Sequence, residues 1–193
     1  MKSINTTVLV DELMENTRQI LLEAEKLQYV DTIILSAQPA TGGWSVAQVL
    51  EHLNFYSNFY IRAIEEKLHR HHTTAKETYT PGWFGNYFTN MMKPREDGVV
   101  ANKMKAMKNA TPPPAIDAQA ALSKFIADQH QLLNLLEISR GSDLGRLRVP
   151  TSITKFITLK LGDTFRFFIA HEQRHFVQIR NTLESVSRLV ALA

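Results

Sequence analysis

Apolar residues recur at three- and four-residue steps in four long stretches of the chain, a spacing that places them on one face of an α-helix. The first stretch covers 6–29, with Leu9, Leu13, Ile20, Ala24 and Leu27 in register. Residues 31–43 break the pattern with Pro39 and a Gly pair. The second helix covers 46–68, with the stripe Val46, Val49, Leu50, Leu53, Tyr60, Ile64 and Leu68. The third covers 117–139, with Leu122, Phe125, Ile126, Leu132, Leu133 and Leu136, and Gly141 is placed to cap its end. The fourth covers 158–189, with Leu161, Phe165, Phe168, Ile169, Phe176, Ile179 and Leu183.

The start of the second helix is marked most clearly. Ser45 and Gln48 form an S-x-x-Q capping box, in which each side chain satisfies a backbone N–H near the other. Trp44 before the cap and Val49 at the fourth helical position have the spacing of a hydrophobic staple. Residues 69–116 are the least regular, and a connection of that length in a compact domain is usually functional or mobile. Within it Trp83, Phe84, Tyr87, Phe88, Met91 and Met92 predict a short helix with an apolar side. Strand alternation is weak, although 147–157 could be extended. The expected fold is all-α, an antiparallel four-helix bundle occupying 1–193 as one domain.

Composition narrows the chemistry. The chain has no Cys, which excludes disulfides, zinc–thiolate sites and Cys nucleophiles. No apolar run reaches the roughly 18 residues of a membrane span. The N-terminal residues lack the apolar core of a signal peptide, so a cytoplasmic location is expected. The net charge of +3 comes from 22 basic and 19 acidic residues that are interspersed, so a nucleic-acid partner is not indicated.

The candidate chemistry lies in His171-Glu172-Gln173-Arg174-His175. Histidines at i and i+4 stand one above the other on a helix and can point at one ion. Seven histidines in 193 residues produce roughly a quarter of one such pair by chance, so spacing alone decides little. Position adds weight. At about 100° per residue, His171 and His175 lie on one flank of the fourth stripe, beside Thr164 and Gln178. His52 lies on a flank of the second helix, next to Gln48, Phe55, Tyr56 and Phe59. If the flanks face each other, three imidazoles converge at the bundle rim and leave a divalent ion an open position. The alternative is a surface pair and a satisfied core histidine. His69, His71 and His72 read as a solvated helix end, and His130, between two Gln, as solvent-facing.

The same five residues also match H-E-x-x-H, the metalloprotease motif in which Glu is the general base. Its metzincin extension needs Gly and His where Gln178 and Asn181 stand. Glu172 falls near the centre of the apolar stripe, where it is expected to pair with a buried cation or to pack structurally.

Trp44-Ser45-Val46-Ala47-Gln48-Val49-Leu50-Glu51-His52-Leu53 resembles the W-S-x-x-Q-x-x-x-H-L segment of the DinB/YfiT-like superfamily. Leu161-Gly162-Asp163 and His171 to Gln178 resemble its final-helix H-x-x-x-H-x-x-Q segment. The two segments stand in family order, so the resemblance covers nearly the whole chain. It implies a four-helix bundle in up-down-down-up order, with a long crossover where 69–116 falls. It implies a divalent metal, commonly nickel or zinc, held by His52, His171 and His175. Some relatives are transferases or isomerases that use a low-molecular-weight thiol as cosubstrate on a small molecule. Here such a thiol would have to arrive from outside, because the chain has no Cys. Metal-dependent hydrolysis and a non-catalytic bundle are the rival implications. Bundles of this family often pair, so a homodimer is a further expectation. For the aromatics at 83–88 three roles compete: covering the bundle's own core, which leads, walling a pocket over the metal, or contacting a second chain.

Overall fold

Three of the four long helices begin at a residue whose side chain accepts from its own backbone. Asn5 Oδ1 accepts from Val8 N at 3.1 Å and opens α1 (Thr6–Leu27). Asp31 opens the short α2 (Thr32–Ser36), inside the stretch expected to be a plain break. Gly42 and Gly43 take φ of +79° and +121°, a region that favours glycine, and the chain turns there into the cap of α3 (Val46–Arg70). The capping box is formed. Ser45 Oγ accepts from Gln48 N at 3.2 Å, and Gln48 Oε1 accepts from Ser45 N at 3.0 Å. Asp117 caps α5 (Ala118–Ser139), accepting from Ala120 N at 3.0 Å. The last helix, α6, is Leu161–Val190. Gly141, expected as a cap, has no positive φ, because α5 ends through Arg140 in ordinary helical geometry.

This computed structural model describes residues 1–40, 42–95, 105–154 and 156–190. The crossover's residues 96–104 lie outside the described residues. Between α3 and α5 the crossover contains a two-residue strand, β2 (Thr78–Tyr79), which pairs antiparallel with β1 (Ile4–Asn5). The helix predicted at 83–92 is present as α4 (Trp83–Met92). Between α5 and α6 the extended stretch is a hairpin, β3 (Arg148–Pro150) with β4 (Thr158–Lys160), in register Arg148 to Lys160 and Val149 to Leu159.

Side-chain contacts fix the direction of each helix. Gln48 at the start of α3 reaches the Pro113 carbonyl just ahead of α5, and Asn54 further along α3 donates to the carbonyl of Ala121 within α5 at 2.9 Å, so those two helices run parallel. On α6, Phe176 packs against Phe125 and Glu172 bonds Gln129, so α5 and α6 run antiparallel. Arg140, just past α5, reaches Asp11 early in α1 at 2.6 Å, so these also oppose. The order is therefore up-down-down-up, and the parallel α3–α5 pair is what requires the long crossover. All the stripe residues named on the first two helices are buried, and Phe165, Phe168, Phe176 and Ile179 fill the centre from α6. Among the described residues no helix is long and apolar enough to cross a membrane.

The crossover is seated on the start of α6 by close approach. A Cβ on Gly162 would stand 2.7 Å from the Tyr79 ring, and one on Gly85 would stand 2.2 Å from Asp163 Cγ. Asp163 is 1% exposed and accepts from Gly82 N at 2.8 Å. The Leu161-Gly162-Asp163 segment is thus where α4 docks on the last helix.

Candidate metal centre

The box that starts α3 sets His52 two turns along a well-anchored helix. Gln48 also donates from Nε2 to the carbonyl of Pro113 at 3.1 Å, tying the helix start to the end of the crossover. That tie brings the 3-10 turn Lys108–Ala110 against α3, where His52 Nδ1 donates to the Ala110 carbonyl at 2.7 Å. The Trp44 ring meets His52 at 5.0 Å. The residue expected as a staple thus also packs on the histidine.

His171 and His175 face His52 from the antiparallel α6. The ring centroids are 5.4 Å apart for His52–His171 and 4.6 Å apart for both His52–His175 and His171–His175. One ligand nitrogen from each ring lies within 4.8 Å of the others, and the three form a group that could hold a metal ion. His175 Nδ1 donates to Gln178 Oε1 at 2.9 Å, as His52 does to Ala110. An outer partner on Nδ1 fixes the tautomer and leaves Nε2 with its lone pair, the usual arrangement behind a metal-ligating imidazole. The Tyr56 ring stands edge-on to both His52 and His171, at 5.0 and 4.7 Å.

Electrostatics favour neutral rings. Burial pushes His52 below the ordinary imidazole range, and the Ala110 carbonyl opposes this only in part. Burial, then the neighbouring His175 and His52, drives His171 well below that range. Burial and the nearby His52 hold His175 at about 3. Deprotonated nitrogens are what a divalent cation requires. The donor set therefore fits a borderline metal such as zinc or nickel better than a hard, oxygen-seeking one.

The histidines open onto a cavity of about 490 Å³ between α3, α4, α6 and the β3–β4 hairpin. Phe88, Met91 and Met92 of α4, together with Phe167 and Leu159, make it largely apolar, and no carboxylate lines it among the described residues. Of the four aromatics at 83–88, only Phe88 walls the cavity. Trp83, Phe84 and Tyr87 are 67%, 62% and 54% exposed, so the expected core-covering role is wrong for them. α4 turns its Gly85–Thr89 side to α6, and the bulky ring face points outward.

Glu172 is not in the cavity. It is fully buried on the α5 side of α6, where its Oε1 accepts from Gln129 Nε2 at 2.8 Å and its Oε2 has no partner. Burial raises its carboxyl to about 8. The expected buried cation is replaced by an amide, and a general base aimed at the histidines is absent from this position. His69, His71, His72 and His130 are exposed, as expected.

Three contributors escaped the sequence reading. The Ala110 carbonyl carries no side-chain signal. The hairpin residues Thr151 and Ser152 line the cavity, where Ser152 bonds Tyr60 Oη at 3.2 Å, a contact between segments far apart in the chain. Arg174 lines it too, one residue before His175 and 7% exposed; only its helical position between the two histidines could have flagged it.

Fold and site together define an up-down-down-up four-helix bundle with three histidines on facing helices. The model of the DinB superfamily matches residues 13–179, and the chain belongs to that superfamily. No curated protein sequence matches it. Among solved structures it is similar to YfiT from Bacillus subtilis, described as "a probable metal-dependent hydrolase with an unusual four-helix bundle topology". The TM-score is 0.55 at 14% identity, over 94% of this chain and 87% of that one, a likeness of fold.

Proposed function

We propose that the protein is a metal-dependent enzyme. In this reading it holds a divalent cation through His52, His171 and His175 and joins a low-molecular-weight thiol to a small electrophile in the adjoining cavity. The observation that carries the reading is the placement of three neutral imidazoles at the edge of an apolar, carboxylate-free cavity. When bound, the cation supplies Lewis acidity that lowers the pKa of a thiol or water beside it, so no side-chain base is needed. Ala110 and Gln178 hold two of the rings in the ligating tautomer. Phe88, Met91, Met92 and Phe167 exclude water and take up the apolar part of the electrophile. In the reaction the thiol S–H bond breaks with its proton passing to solvent. A carbon–sulfur bond then forms, and the leaving group departs with its electron pair.

Metal-dependent hydrolysis is the second reading, favoured by the printed description of the Bacillus subtilis fold neighbour. The test uses untagged protein loaded with nickel or zinc and a chlorinated fluorogenic electrophile, with and without added small thiols. Metal-dependent conjugate that requires the thiol supports transfer. Metal-dependent turnover of an ester with no response to thiols supports hydrolysis instead. Failure of the protein to take up one equivalent of metal would refute both.

A further inference from the structure

A second depression, of about 570 Å³, lies where the end of α3 meets the start of the β3–β4 hairpin. Along the helix axis Lys67 is about 22 Å from His52, so this depression is separate from the histidine site. It is lined by Lys67, Arg70, His71 and His72 from one side and by Arg146 and Arg148 from the other, with no carboxylate among its lining residues.

The charges are crowded by the fold itself. Lys67 and Arg70 stand at i and i+3 on the last turn of α3, where like charges repel, and His71 is the extended residue that follows it. Arg146 closes the turn that begins at Asp143, Arg148 opens β3, and both line the depression. Arg148 also pairs across the hairpin with Lys160, a like-charge pair that disfavours the sheet. Of these lining cations Arg70 alone has a carboxylate partner among the described residues, Glu66 at 2.8 Å. Asp143 accepts from the backbone of Gly145 and Arg146 and pairs with Lys76 at 3.2 Å. Among the described residues no carboxylate pairs with Lys67, Arg146 or Arg148. The helix C-terminus accounts for cations on α3, because its carbonyls favour positive charge. It does not account for two guanidinium groups brought to the same depression by β3 and the turn before it.

We propose that this depression is an anion site for a ligand carrying two or more phosphate groups. Guanidinium groups match phosphate oxygens bidentately, and cations on two separate elements suit an anion that bridges them. The volume is that of a small-molecule site. The phosphates could belong to a free oligophosphate or to a lipid headgroup.

The probe for the free source is inorganic tripolyphosphate, titrated calorimetrically into the full chain. The probe for the lipid source is a phosphatidylcholine vesicle carrying a phosphoinositide. The variants are Arg146→Gln with Arg148→Gln, both exposed, and a control pair with the same charge loss, Lys2→Gln with Lys26→Gln. The expected result is saturable one-to-one binding that falls tenfold or more in the hairpin pair, by about tenfold per lost charged hydrogen bond. The control pair should change it less than about twofold. Metal uptake by the hairpin pair should match wild type, which shows that it is folded. Vesicle binding abolished by the same two substitutions would assign the site to a headgroup. Equal weakening by both variant pairs means an adventitious ion only and overturns the proposal. So does the absence of saturable binding to either probe, or binding to duplex DNA with none to tripolyphosphate or the vesicles.

Discussion

Gly85→Ala tests whether α4 is a wall held against α6 by close contact. The added methyl would stand 2.2 Å from Asp163 Cγ, 2.3 Å from its Cβ and 2.5 Å from Oδ2. Rotating the Asp163 side chain moves Oδ2 but not Cβ, which is fixed to the backbone of α6. Restoring ordinary contact with that Cβ at about 3.4 Å therefore requires α4 to lift by about 1.1 Å. A lift of that size stretches the 2.8 Å bond from Gly82 N to Asp163 Oδ2 to about 3.9 Å, beyond hydrogen-bond range. Overpacking costs about 1–3 kcal/mol, and loss of one bond to a buried carboxylate costs about 1.5 kcal/mol, since Arg166 remains beside it. Alanine's better helix propensity returns about 1 kcal/mol. The net expectation is a loss of about 1.5–3.5 kcal/mol in urea denaturation of the metal-free protein. Affinity for zinc or nickel should stay at the wild-type level, because the three histidines stand on α3 and α6. Amide exchange at Gly82 should quicken. A variant with wild-type stability and wild-type exchange at Gly82 would refute the reasoning that the Gly85–Asp163 contact holds α4 in place.

His52→Ala should lose most bound metal in elemental analysis, because two remaining imidazoles hold a divalent ion weakly; full stoichiometric metal would refute the three-histidine assignment. Ser45→Ala should cost about 0.5–2 kcal/mol in thermal or urea unfolding and weaken metal binding through a frayed α3, and unchanged stability would sink the capping argument. The three histidines have folded-state pKa values below 6.5, so in the metal-free protein the unfolded chain binds more protons than the folded one under acid. Stability should therefore fall as pH drops through 6.5 and keep falling toward the value of about 3 for His175, and the pH midpoint of metal release should lie below 6.5. Glu172 titrates in the opposite sense. Its folded value of about 8 exceeds its unfolded value of 4.5, so the folded state keeps a proton that the unfolded state releases, and stability is lost as pH rises between the two. Glu172→Gln removes this loss, and the stability of metal-free variant over wild type should grow with pH across that window, by up to roughly 5 kcal/mol; a difference independent of pH would show that Glu172 is not held neutral.

Four helices, the capping box of the second and the inward faces were legible in the sequence because each depends on neighbours a few residues away. A 3.6-residue period and a Ser-x-x-Gln pair act locally, and the chain carries them wherever it folds. The i, i+4 spacing of His171 and His175 is of the same kind, and the flank position of His52 was readable from its own stripe. What periodicity alone left open was whether those flanks face one another, because that depends on helix direction. The parallel α3–α5 pair settles the direction, through contacts such as Asn54 with Ala121 that no local pattern announces. The outer partners of the histidines were equally invisible, since Ala110 contributes only a carbonyl that Gln48 and the crossover bring into reach. Glu172 read as the partner of a buried cation or as a structural packing residue, and which group lies opposite is set by the pairing of α5 with α6; that group is the neutral amide of Gln129. The aromatic run at 83–88 had the composition of a core element. Gly85, pressed against Asp163, decided instead that the small side of α4 turns inward, leaving Phe88, Met91 and Met92 at the cavity and three rings in solvent. A hydrophobic pattern says how much apolar surface a segment has to bury, and only close packing between distant segments says which part of it is buried.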